Sequence, residues 1–98
     1  MERKEILAAA EKCICGDRDQ DYGSPEKSFL AIANLWSDYL FARGILDKTS
    51  MNCFISGKDV AAMMVLFKIA RVATGHDKTD NWIDVAGYAA CGGEVEGG

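Results

Sequence analysis

The sequence predicts an all-α fold, a compact bundle of four helices completed by association with further copies. Three observations predict it. Apolar residues recur three and four positions apart in four separate segments. The segments are punctuated by helix-start and helix-stop residues. No stretch alternates apolar and polar residues convincingly enough for a strand, and no internal repeat is visible. The chain has 98 residues, 49% hydrophobic and 27% charged, which suits one globular domain. Burial is incomplete at this length, so association is expected to supply part of the core.

The first helix is expected over residues 2–15, within an N-terminal region of 1–16. Ile6, Leu7, Ala10, Cys13 and Ile14 share a face, and Gly16 is expected to stop the helix. A charged connection follows, Asp17 to Gly23, with no apolar period. The second helix has a clear start: Ser24 can cap it, Pro25 suits its first turn and Glu26 favours its positive end. Phe29, Ile32, Leu35, Trp36, Tyr39 and Leu40 form one broad apolar face, and Gly44 closes the segment. The polar stretch Asp47–Asn52 is long enough for an interaction or lid element.

The third helix begins at Ser56, with Asp59 three residues later in capping-box order. Val60 to Phe67 is apolar on every side, so this helix belongs in the middle of the fold. Three other helices are too few to cover it, and a second subunit is expected to cover the remainder. The fourth helix is expected from Thr79 or Asp80 to about Cys91. Residues 92–98, which include four glycines, read as a flexible tail.

Composition narrows the partners. A net charge of −4, with scattered Lys and Arg, argues against duplex nucleic acid, which needs a concentrated basic face. No apolar run approaches the roughly 20 residues of a membrane span, and the N-terminus lacks a signal-peptide core. Cys13, Cys15, Cys53 and Cys91 form no C-x-x-C pair, and His76 is the single histidine. Reduced thiols in a cytoplasmic protein are expected.

Polar residues on the last two helices are the candidate site. Lys68 and Arg71 lie on one face; Asp80 and Asp84, four apart, lie on another, with Tyr88 one turn further. Two readings stand side by side. The charges could pair and fix helix register, or the cations could meet phosphate while the carboxylates hold a metal or a ribose. Arg18 and Tyr22 likewise read either as a turn with a packing aromatic or as a cation and an aromatic plate beside a helix N-terminus. Trp36 and Trp82 read first as core residues, and His76 as a solvated residue at a helix end.

The order Arg18-x-x-x-Tyr22-Gly23, Trp36-x-x-Tyr39-Leu40, Asp59-Val60, Lys68-x-x-Arg71 and Asp80-x-x-x-Asp84-x-x-Gly87-Tyr88 resembles small phage and prophage proteins of unknown function. These are related to the nucleotide modification associated domain. More distantly the chain is similar to MazG-like all-α nucleoside triphosphate pyrophosphatases, whose carboxylates hold magnesium against phosphates. The candidate ligand-binding residues are Arg18, Tyr22, Lys68, Arg71, Asp84 and Tyr88, and a pyrophosphatase of that kind would use Asp59, Asp80 and Asp84 as its metal set. The Glu-Glu-x-x-Glu cluster of such enzymes is missing. Here Asp59 is followed by Ala61, Ala62, Met63 and Met64.

The leading expectation is therefore a phage-type protein that binds a phosphorylated nucleotide without turnover, sequestering a nucleotide signal of host defence. The second is a magnesium-dependent pyrophosphatase. The third is an inhibitor module that docks on a host protein. An inter-helix cavity separates the first two from the third.

Overall fold

A computed structural model describes residues 1–17, 24–47 and 54–95. The described residues form α1 (Arg3–Lys12), a π-helical turn (Cys13–Asp17), α2 (Pro25–Ala42), α3 (Gly57–Ala73) and α4 (Thr79–Glu94). There is no strand among them. The all-helical expectation holds. Arg18, Tyr22, Gly23, the Lys48–Cys53 stretch and residues 96–98 lie outside the described residues.

The helix starts follow local chemistry. The Ser24 hydroxyl accepts from the Lys27 N–H at 3.4 Å, and Pro25 opens α2. At α3 the capping box is complete: Asp59 N–H donates to Ser56 Oγ at 3.1 Å, and Ser56 N–H donates to Asp59 Oδ2 at 2.9 Å. Ser56→Ala is expected to cost about 1 kcal/mol, seen as a lower urea midpoint at unchanged slope. Gly44 ends α2 as expected, with φ +76°, a conformation that side chains disfavour.

Two helix ends differ from expectation. Gly16 does not stop the first helix, which continues as a π-helical turn to Asp17. A single glycine costs only about 1 kcal/mol in a helix, which neighbouring contacts can offset. Ile14 packs on the core and touches the place where a Gly87 side chain would be, 3.2 Å away. The fourth helix also passes through Gly92 and Gly93 to Glu94. The glycine is needed there: a Cβ on Gly92 would lie 2.9 Å from Ala61 Cβ. Val95 then folds in, 5% exposed.

Packing explains which apolar residues are covered. α3 and α4 form the most extensive helix pair; α1 packs on α4 and α2 on α3. The core joins Phe29 and Ala33 of α2, Val60 and Ala61 of α3, Cys91 of α4 and Val95 just beyond it. Trp36 packs against this core, as expected. The broad α2 face does not bury as a unit: Phe29, Ala33 and Ser37 are buried, whereas Leu35 and Tyr39 are exposed. The buried stripe steps by four residues, and Leu35 and Tyr39 lie well round the helix from it. Ser37 is buried for a polar reason, since its hydroxyl accepts the Ile55 N–H at 2.9 Å and ties the approach to α3 onto α2. Trp82 is exposed; its indole N–H donates to Asp77 Oδ1 at 2.7 Å.

No helix among the described residues is long and apolar enough to cross a membrane.

Candidate functional site

The turn Thr74–Lys78 sends α4 back along α3, so partners on the two helices follow one another as rungs. Arg71 meets Asn81, Lys68 meets Asp84, and Lys58 reaches Gly92. The rung positions on α4 are 81, 84 and 92, and with Tyr88 they form an i, i+3, i+7, i+11 stripe that keeps to one face.

At the turn end, Arg71 Nε donates to Asn81 Oδ1 at 3.2 Å. The Asn81 amide nitrogen donates in turn to the His76 carbonyl at 2.5 Å. Asn81 is only 5% exposed, whereas Arg71 is exposed. A buried amide thus accepts from the Nε of an exposed guanidinium. Arginine's fork geometry suits bidentate contact with phosphate or carboxylate. His76 is exposed, in keeping with its position at a helix end.

One turn along, Lys68 Nζ lies 3.0 Å from Asp84 Oδ2, with the two side chains 18% and 41% exposed. Expected pairing between the helices is therefore found for these two. It does not extend to Asp80, which is exposed on the first turn of α4 while Asn81 takes the inward position beside Arg71. Half-exposed pairs of this kind contribute little net stability. The Lys68 ammonium also lies 5.7 Å from the Phe67 ring centroid.

Beyond the ion pair, a groove of about 270 Å³ opens between the helices. Ala61, Ala62, Ala89 and Gly92 line it with small side chains, Val65 and Tyr88 with larger ones, and Lys58 lies at its far end. Tyr88 stacks on Phe29 of the core, ring centroids 6.2 Å apart. Lys58 Nζ donates to the Gly92 carbonyl at 2.6 Å. The groove is an apolar trough with ammonium groups at or beyond its two ends.

Of the six ligand-binding residues expected from sequence, the structure brings Lys68 and Asp84 together, places Arg71 on the neighbouring rung and sets Tyr88 in the groove lining. Arg18 and Tyr22 lie outside the described residues. The metal set is not assembled: Asp59 caps α3, and no group of three or more His, Cys, Asp and Glu side chains placed to hold a metal occurs among the described residues. Asn81 and Lys58 were missing from the sequence reading. The signal for Asn81 was its spacing, three before Asp84 and seven before Tyr88.

The described residues form a helical framework in which the α3 cations Lys68 and Arg71 meet Asp84 and Asn81 of α4. The chain belongs to the DUF6378 family, a domain of unknown function that matches residues 5–96. It is 42% identical over 89 residues to the Gene 55 protein of Mycobacterium phage D29, covering 90% of this chain and 51% of that protein. It is 40% identical over 84 residues to the Gene 55 protein of Mycobacterium phage L5, covering 86% of this chain and 47% of that one. The chain thus spans about half the length of these relatives. No solved structure matches it.

Proposed function

We propose that this protein binds a phosphorylated nucleotide at the α3–α4 face, holding it without turnover as a homo-oligomer in the cytoplasm of a bacterial host. Arg71 and Lys68 meet the phosphates. Tyr88 and the small-residue groove take the apolar part of the nucleoside. A sequestered nucleotide signal of host defence is the ligand class that suits a phage-type protein of this kind.

The observation that carries this reading is the fixed guanidinium. Asn81, buried and itself held by the His76 carbonyl, orients Arg71 before any ligand arrives. Preorganised donors lose less freedom on binding, which strengthens the contact. Asp84 serves Lys68 in the same way. A phosphate that approaches the pair shares the ammonium with the carboxylate. At about 270 Å³ the groove is smaller than most ligand pockets, which run from about 300 to 1,000 Å³. It fits a base or ribose and leaves the phosphates outside the trough, toward the cations. The capping role of Asp59 favours binding over a hydrolytic mechanism that would recruit that carboxylate.

A thermal-shift panel of nucleoside triphosphates, cyclic dinucleotides and ADP-ribose tests the reading. A ligand at a hundred times its dissociation constant stabilises the fold by about 2.7 kcal/mol, a shift of roughly 10–20 °C for a domain this size. Arg71→Ala is expected to abolish the shift while leaving the unliganded melting temperature within a few degrees. No shift with any compound overturns the proposal. Pyrophosphate release with magnesium, lost in Asp84→Asn, replaces it with the pyrophosphatase reading.

A further inference from the structure

One cation of α3 has no part in holding phosphate. Lys58 stands in the first turn of the helix, half-buried, and its Nζ donates to the Gly92 carbonyl at 2.6 Å. An ammonium carries three N–H donors and no acceptor. Among the described residues the Gly92 carbonyl is its hydrogen-bond partner, so donor capacity remains at that end of the groove. Little else there can read a base. Ala61, Ala62, Val65 and Ala89 line the groove without a side-chain donor or acceptor, and Lys58 and Tyr88 supply the polar side-chain atoms. A tyrosine hydroxyl both donates and accepts, so it serves a keto oxygen and an amino group alike. The ammonium only donates, and it tells the two apart.

We infer that Lys58 selects the base, and that the site takes 6-oxopurine nucleotides, those of guanine and hypoxanthine, in preference to adenine nucleotides. This rests on the nucleotide reading above, with the phosphates at Lys68 and Arg71, and adds the identity of the base. Lys58 and Lys68 belong to the same helix, and their ten-residue separation spans about 15 Å at the rise of an α-helix. A purine nucleotide extended from its first phosphate to the far edge of its base, with a hydrogen bond at each end, covers a length of that order. A carbonyl oxygen on that far edge accepts from the Lys58 ammonium. An amino group in the same place sets N–H against N–H and leaves both donors unmade. The same chemistry lets lysine choose guanine over adenine at a nucleic-acid edge. A hydrogen bond to a charged group is worth about tenfold or more in affinity. Adenine nucleotides still bind through the phosphate cations, more weakly.

Calorimetric titration of the full chain with ITP and with ATP tests this, because the two bases differ only at position 6 and in the proton on N1. ITP is expected to bind about tenfold more tightly than ATP, with GTP beside ITP. Lys58→Met keeps a stem of similar length without the donors, and is expected to bring the ITP-to-ATP affinity ratio to about one. Lys58→Gln is expected to do the same, since its amide both donates and accepts. The ratio is read within one preparation, so a loss of stability in either variant does not imitate the result. Equal or reversed affinities for ITP and ATP in the unaltered protein overturn the inference and leave nucleotide binding standing. So does a preference for ITP that survives both variants. Binding of none of the three nucleotides overturns the inference together with the reading beneath it.

Discussion

Phe29→Ala is expected to destabilise the protein by about 3–5 kcal/mol, the cost of removing a fully buried aromatic ring and leaving a cavity. Phe29 is 2% exposed and is the largest side chain that α2 contributes to the core cluster. Its ring stacks on Tyr88, and its Cβ comes within 3.5 Å of where a Gly57 side chain would start. One side chain therefore lies between α2, the first turn of α3 and the middle of α4. Domains have only about 5–15 kcal/mol of total stability, so the variant loses a large share of it. Urea melts followed by circular dichroism measure the loss. Phe29→Leu should recover more than half of it, because less volume is removed. Leu7→Ala, at an exposed position, should change stability by no more than about 0.5 kcal/mol.

Gly92→Val is the second large effect. Any side chain at this position starts 2.9 Å from Ala61 Cβ, and Ala61 is buried against the core with nowhere to turn. A methyl on Cβ has no rotamer that relieves a contact, so the helices must separate. Overpacking of this kind costs about 1–3 kcal/mol, and separation also stretches the Lys58 contact to the Gly92 carbonyl. Gly92→Ala isolates the balance. Better helix propensity contributes about 1 kcal/mol in its favour, but the clash is between two Cβ atoms, and the net effect is expected to be destabilising. Ala61→Gly in the same chain reopens the space and should restore much of the stability. Additivity of the two substitutions, measured as a double-mutant cycle, would contradict this account of the close approach.

Local chemistry made the helices legible. Ser24 with Pro25, and Ser56 with Asp59, placed the starts of α2 and α3 because capping needs only residues three apart in sequence. Gly44 placed the end of α2 for the same reason. The remaining boundaries depended on tertiary contacts. Gly16 and Gly92 look alike as breakers in sequence, yet both are helical here. Ala61, a whole helix away in the chain, is what makes a residue without a side chain useful at position 92. The α2 face was overread because Leu35 and Tyr39 are apolar without being covered.

The candidate site was legible in part for a similar reason. Lys68 and Asp84 were visible as two charges in apolar helices, and the structure pairs them. Arg71 was visible, but its partner was not, because two charges suggested Asp80 and the phase of α4 selected Asn81 instead. The groove floor of Ala61, Ala62, Ala89 and Gly92 could not be read from sequence at all. Small residues mark a close helix approach only once the facing helix is known.

Mapping the nucleotide contact residue by residue tests the central claim most directly. The protein labelled with nitrogen-15 is titrated with ATP and, separately, ADP-ribose while its amide and side-chain resonances are followed. The expected result is saturable movement of the Arg71 and Asn81 side-chain signals together with the amides of Lys68, Asp84 and Tyr88, absent in Arg71→Ala. Spectra that stay still, or that move only at residues remote from the α3–α4 rungs, would contradict it.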